Sequence, residues 1–288
     1  MDVLLKGIVR KEAILAVSLI DTETVEKARS IHDTYPTASA ALGRVISGAL
    51  LLASMLKEDQ RLTLQVTGEG PLREIVAEVD WLLRVRGYVR RPHIHLGLKN
   101  GKLDVGRAIG KGLLHVIKDL GLAHPYRGTV PLQTGEIATD LAYYLATSEQ
   151  IPSAVSLGVY VDTDNTVKAS GGFMIQALPG AKDETIKFLE NRLRQLPPIS
   201  SMILGGMTLE DILKKAVGLP IDFTDRKEVL HSCPCSRERI IRAIVALGEK
   251  EIKDLIEKGK EIEIQCEFCK NLFIFSLEEL HSILEDMR

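Results

Sequence analysis

The sequence predicts an α+β protein: an N-terminal, mostly antiparallel sheet packed with helices, a helical connector, and a small C-terminal domain built around a candidate zinc site. Three observations carry this. Short alternating segments bounded by turn residues recur through residues 1–178, the pattern of half-buried strands. Amphipathic helical stretches broken by prolines follow over 179–230. All four cysteines of the 288-residue chain fall after position 232.

Residues 3–20 alternate as two strands, with "RKE" between them. "DTETVEKARSIHDT" then offers Asp21 or Thr22 as the cap of a helix with Glu23 in its first turn. Pro36 and Thr37 open a longer helix ending near Lys57, rich in alanine and glycine that permit close packing. Ala38–Leu56 is the most apolar stretch, but it carries Arg44 and several serines and glycines, so it reads as a buried helix and not a membrane span. Residues 61–89 read as strands around the breaker "GEGP", and further strands are expected at 103–109, 113–118 and 127–132. A helix over 136–150 puts Ile137, Leu141, Tyr144 and Leu145 on one face. Two strands, 154–162 and 167–177, meet at "DTDN" and complete the first domain.

In the connector, a helix over 182–196 carries the stripe Ile186, Leu189, Leu193 and Leu196. "LPPIS" ends it, and "TLEDILKKAVG" forms a second helix capped at Thr208 that buries Ile212 and Leu213. Such stripes cannot be buried by short helices alone; they need a sheet beneath them. Residues 231–288 then form a segment so small that a metal staple would help it fold.

That segment holds Cys233-x-Cys235 and Cys266-x-x-Cys269. Between the pairs lie two helices separated by Gly248. "EIEIQCEFCKNLFIFS" reads as a hairpin with the CxxC at its turn, and Ser276 with Glu279 fits a capping box opening the last helix. Two close cysteine pairs suit one tetrahedral zinc ion. The spacing alone leaves several uses open: a purely structural zinc site, four free thiols, or a thiol-disulfide device. His231, two residues before Cys233, is an alternative ligand in place of one sulfur. Zinc would keep the thiols as thiolates, the form that oxidants attack, and would gather them close to bonding distance.

Bulk properties narrow the function classes. The chain is 45% hydrophobic and 26% charged, with a formal net charge of −2, so its overall charge gives no drive towards nucleic acid or an anionic membrane. The first twenty residues show no export signal, which makes the cytoplasm, where thiols stay reduced, the expected compartment. "RVRGYVRR" at 84–91 reads as a solvated strand edge. Arg237, Arg239 and Arg242 would suit a zinc-ribbon nucleic-acid binder, but Glu238, Glu261, Glu263 and Glu267 dilute their charge. No nucleophile constellation can be assembled from the seven scattered histidines, so no enzyme activity is expected.

The cysteine pattern sits behind "GEGPLREIVAEVD…VRGYV", "PYRGTVPL…GEIATDLAYYLATSEQ", "SGGFMIQALPGA" and "TASAALGRVISGALLLASMLK". In all of these the chain resembles the redox-regulated chaperone family called heat-shock protein 33. The resemblance implies a holdase that works without ATP, folded and inactive while reduced and bound to one Zn2+ through Cys233, Cys235, Cys266 and Cys269. It implies that oxidation forms Cys233–Cys235 and Cys266–Cys269 disulfides, releases zinc, and unfolds the C-terminal domain and the connector. Unfolded client proteins would then be the partners of an active homodimer, with no nucleic acid or membrane involved. Within the connector, Ile186, Leu189, Leu193, Ile212 and Leu213 are the candidate client-binding residues. Two other classes compete: a zinc-ribbon nucleic-acid binder and a thiol-disulfide oxidoreductase acting through Cys266–Cys269.

Overall fold

The computed structural model describes residues 1–287. The chain divides into two units, residues 1–232 and a second beginning at Cys233. The first unit opens with β1 (Val3–Val9) and β2 (Ile14–Ile20), joined by a single turn over Arg10–Glu12. α1 (Thr22–His32) and α2 (Pro36–Ala53) follow. Then come β3 (Arg61–Gly68), β4 (Glu74–Asp80) and β5 (Arg84–Val89). A minimal hairpin, β6 (Leu98–Lys99) with β7 (Lys102–Leu103), leads into α3 (Val105–Ile109). β8 (Gly112–Asp119), β9 (Tyr126–Pro131), α4 (Ile137–Thr147), β10 (Ser153–Val161) and β11 (Val167–Ala177) complete the frame.

The strands form a six-stranded sheet, which ends in β5-β4-β3-β8-β9, and a five-stranded sheet containing β10-β11-β2-β1. α2 packs against strands of both sheets, and sixteen of its eighteen positions are buried. Its small residues make this possible. A Cβ added at Gly43 would stand 2.7 Å from Val25 and 2.8 Å from Val159; one at Gly48 would stand 2.6 Å from Leu141. The helix that is apolar enough for a bilayer is thus the central core helix.

The connector lies on the other face of the five-stranded sheet. α5 (Asp183–Leu193), α6 (Ile199–Leu204) and α7 (Leu209–Val217) build a second core with Val3, Leu5, Val9, Ile14, Ala16, Phe173 and Ile175. Thr208 caps α7 through a capping box with Asp211. β12 (Asp222–Glu228) then adds to β1 at the edge of the five-stranded sheet, and β13 (Leu230–His231) pairs in parallel with β5 at the edge of the six-stranded one.

Several expectations need correction. The strand expected over 103–109 is reduced to the end of β7 at Leu103, and residues 105–109 form α3, because Asp104 accepts the Arg107 amide as a helix cap. α2 ends at Ala53, four residues before Lys57; the Ser54 hydroxyl donates to the Leu51 carbonyl at 2.6 Å and competes with helix continuation. Asp21 occupies the N-cap position of α1, as expected, but its side chain makes no capping bond. The Asp2 carboxylate accepts from the amides of Glu23 (3.1 Å) and Thr24 (2.6 Å), while Asp21 turns inward to the Ser47 hydroxyl (2.7 Å). The 84–91 segment is not a free edge, since β13 lies against it, and Arg84 and Arg86 pair with Asp80 and Glu78. The connector is not wholly helical either: β12 is a strand whose side chains are mostly exposed, so it shows no alternation to read.

The second unit contains α8 (Arg237–Val245), α9 (Glu249–Glu257), the hairpin β14 (Ile262–Gln265) with β15 (Leu272–Phe275), and α10 (Leu277–Asp286). Among the described residues its core has six buried side chains: Ile244, Ile252, Phe275, Leu280, Ile283 and Leu284.

Candidate metal centre

Local structure delivers each cysteine. Cys233 and Cys235 flank Pro234 immediately before α8, whose first turn is fixed by the Ser236 hydroxyl accepting the Arg239 amide at 3.3 Å. Cys266 follows β14. Its amide donates to the Asn271 carbonyl (2.9 Å) and its carbonyl accepts from the Lys270 amide (2.8 Å), closing a tight knuckle. Lys270 takes a left-handed φ of 59° to make that turn, and Cys269 lies within it.

The four Sγ atoms lie within 4.8 Å of one another. Cys233 and Cys266 sulfurs are 3.8 Å apart and those of Cys235 and Cys269 are 3.1 Å apart, so both of these approaches run across the two motifs. All four thiols are half-buried and none is in a disulfide. A tetrahedral ion with metal–sulfur bonds of ~2.3 Å sets neighbouring sulfurs ~3.8 Å apart. One separation equals that edge and the other is shorter, so a single ion can reach all four. The donor set is purely sulfur, which suits a soft or borderline cation and not calcium or magnesium.

Burial, together with the neighbouring thiols, holds the Cys235 and Cys269 protons on: both pKa values are pushed up. A positive ion reverses that balance, since a coordinating thiol is deprotonated outright.

His231 is not part of the cluster. It lies in the first unit on β13, with a buried, unpartnered Nε2, and burial with the charges of Lys27 and His32 lowers its pKa to about 4. Arg237 has a role that the sequence did not suggest. Its guanidinium lies 4.3 Å from the Phe275 ring centroid, donates to the Ile274 carbonyl at 2.9 Å and pairs with Glu279. It ties the start of α8 to β15 and α10. Nothing in the sequence separates it from Arg239 or Arg242, which are exposed.

The connector residues fall in the second core of the first unit. Ile212 and Leu213 are fully buried, Leu189 is buried, and Leu193 packs at its margin. Ile186 is half-buried.

Comparison with known proteins agrees with the fold. A family model described as "Hsp33 protein" matches residues 2–276. The chain is 56% identical to the 33 kDa chaperonin of Thermodesulfovibrio yellowstonii over 287 residues, covering 100% of both chains. It is 44% identical to the 33 kDa chaperonin of Bacillus subtilis, covering 98% of both. The crystal structure of the 33 kDa chaperonin (heat shock protein 33 homolog) of Thermotoga maritima matches with a TM-score of 0.91 at 38% identity, covering 99% of this chain and 98% of that one. The chain belongs to the Hsp33 family.

Proposed function

We propose that the protein is a redox-regulated holdase that binds unfolding proteins without ATP, and that the four cysteines are its sensor. The observation that carries this reading is the convergence of four sulfurs, within 4.8 Å, in a unit whose own core has six buried side chains. So small a core supplies little stability by itself. Structural zinc in such modules contributes ~10–16 kcal/mol of apparent binding energy, as much as an ordinary domain's whole stability of ~5–15 kcal/mol. The fold of the second unit is therefore conditional on its ligand atoms.

Bound zinc would hold the four sulfurs as thiolates and join the CxC and CxxC segments. Cys233, Cys235, Cys266 and Cys269 are the proposed ligands. A peroxide takes two electrons from each thiolate pair: one sulfur attacks the O–O bond and becomes a sulfenic acid, releasing hydroxide. A second thiolate then displaces a further hydroxide and closes the disulfide. The family resemblance pairs Cys233 with Cys235 and Cys266 with Cys269. In a tetrahedral cluster every sulfur neighbours the other three, so these pairings need only local motion. With its sulfurs consumed, the set can no longer hold a cation, and the second unit loses its staple.

The connector is the next element to respond. Ile186, Leu189 and Leu193 lie on a helix of eleven residues and Ile212 and Leu213 on one of nine, both too short to persist off their sheet. Their release offers apolar surface on both the helices and the sheet, which is what an unfolding client binds. The active form is a cytoplasmic homodimer in this reading. A thermally unfolding client protein tests it. Peroxide-treated protein is expected to suppress client aggregation, and reduced zinc-loaded protein is not; equal suppression by both would remove the redox switch.

A further inference from the structure

β1 and β12 form an unequal pair. β1, "VLLKGIV", is apolar on both sides: Leu4 enters the first core, and Val3, Leu5 and Val9 enter the second. β12, "DFTDRKE", is mostly exposed, and the residues opposite Val3 and Leu5 are Glu228 and Arg226. Its polar side-chain ties to the rest of the unit are the exposed ion pairs Arg10–Asp222 and Arg226–Glu210, plus a 3.3 Å hydrogen bond from the Thr224 hydroxyl to the Lys6 carbonyl, and its one large apolar side chain, the exposed Phe223, lies beside Gly7. Exposed pairs contribute little. The strand is therefore held chiefly through its main chain.

The geometry identifies which main-chain groups hold it. The Asp2 carbonyl accepts from the Val229 amide at 3.0 Å, and the register pairs Leu4 with Lys227 and Lys6 with Asp225. In an antiparallel ladder alternate residues exchange both bonds, so the Leu4 and Lys6 amides face β12 while those of Val3 and Leu5 face β2. Beyond Glu228 the same segment passes through β13, where the Ser232 amide donates to the Val85 carbonyl, and runs directly into Cys233. The strand that masks the β1 edge is the chain leading to the metal-ligand set.

We propose that the outer edge of β1 is a client-binding edge: when β12 is released, an extended apolar segment of an unfolded polypeptide adds to β1 in its place. This rests on the redox-switch reading above. An open edge recognises main chain, so it accepts any extended segment without proline and needs no sequence motif. Side chains of the incoming strand would lie beside Val3 and Leu5, where β12 places charge. An apolar segment gains burial there that β12 does not have. In the closed state the charged strand protects the edge from unwanted pairing.

Hydrogen exchange of the full-length protein tests this, with reduced and carboxymethylated α-lactalbumin as a permanently unfolded, thiol-blocked probe. Peroxide oxidation is expected to speed exchange at the Leu4 and Lys6 amides by about tenfold or more, and bound probe to slow it again by a similar factor. The Val3 and Leu5 amides, facing β2, should change far less and serve as the internal reference. Probe that co-elutes with the oxidised protein while Leu4 and Lys6 stay fast would overturn the edge assignment and leave the holdase reading intact. No acceleration on oxidation would overturn it as well, since β12 would not have left. Absence of any probe binding would overturn both readings.

Discussion

Cys233 and Cys266 stand 33 residues apart in sequence, and their sulfurs are 3.8 Å apart in space. That approach joins a segment preceding a helix to the end of a β-strand, and it leaves one obvious bond for a cation to make. Replacing Cys266 with serine removes one ligand and its partner contact. The variant is expected to lose zinc affinity by at least about tenfold and to leave the second unit protease-sensitive under reducing conditions, with residues 1–232 still resistant. Metal analysis with limited proteolysis reads both. One tightly held zinc and an intact second unit in Cys266→Ser would contradict the ligand assignment.

Disulfide mapping separates two outcomes of oxidation. The proposal expects Cys233–Cys235 and Cys266–Cys269 peptides after peroxide treatment. Predominant Cys235–Cys269 cross-links, following the 3.1 Å approach, would show that oxidation traps the metal-site geometry and does not release it.

Arg237 offers a test of the unit's packing without touching a sulfur. Arg237→Ala loses the stacking on Phe275 and the bond to the Ile274 carbonyl, at an expected cost of about 1–3 kcal/mol to the second unit. Arg237→Lys should recover only part of it, because lysine lacks the planar fork. Denaturant unfolding of the zinc-loaded protein, followed by protease sensitivity after α8, measures the loss.

Asp2 caps α1 from outside the helix. Asp2→Ala strands the Glu23 and Thr24 amides, and is expected to destabilise the first unit by about 1–2 kcal/mol. A change below the error of a denaturation midpoint would mean that water replaces the carboxylate.

Asp21 supplies the pH dependence. Burial raises its pKa from 3.8 to about 7, opposed by the Ser47 hydroxyl, and its Oδ1 has no partner. The folded state therefore holds a proton that the unfolded state gives up. The contribution to stability is full below about pH 4 and is lost as pH rises towards 7. Asp21→Asn cannot ionise and should flatten the decline of the first unit's stability across that window. An unchanged slope in the variant would assign the decline to other groups.

The sequence made legible whatever depends on apolar periodicity and on committed residue types. α4 was readable because Ile137, Leu141, Tyr144 and Leu145 recur at helical spacing and all are buried. The cysteine set was readable because all four thiols of the chain were committed to two motifs, and the structure brings their sulfurs together. The cap at Thr208 and the capping box at Ser276 were readable because they are local. What escaped depends on long-range partners. β12 has no alternation because its partner is a backbone, not a core. The Asp2 cap spans twenty-one residues to Glu23, and no local motif announces it. Arg237 differs from its neighbouring arginines only in facing Phe275 and Glu279.

In the proposed switch, sulfur oxidation state governs whether the second unit stays folded and whether the protein holds clients. Zinc release, free-thiol count and suppression of client aggregation, followed together in one peroxide time course, test it most directly. Loss of four thiols, release of one zinc per chain and gain of holdase activity are expected to proceed together. Full thiol oxidation and metal loss with no gain of holdase activity would contradict it.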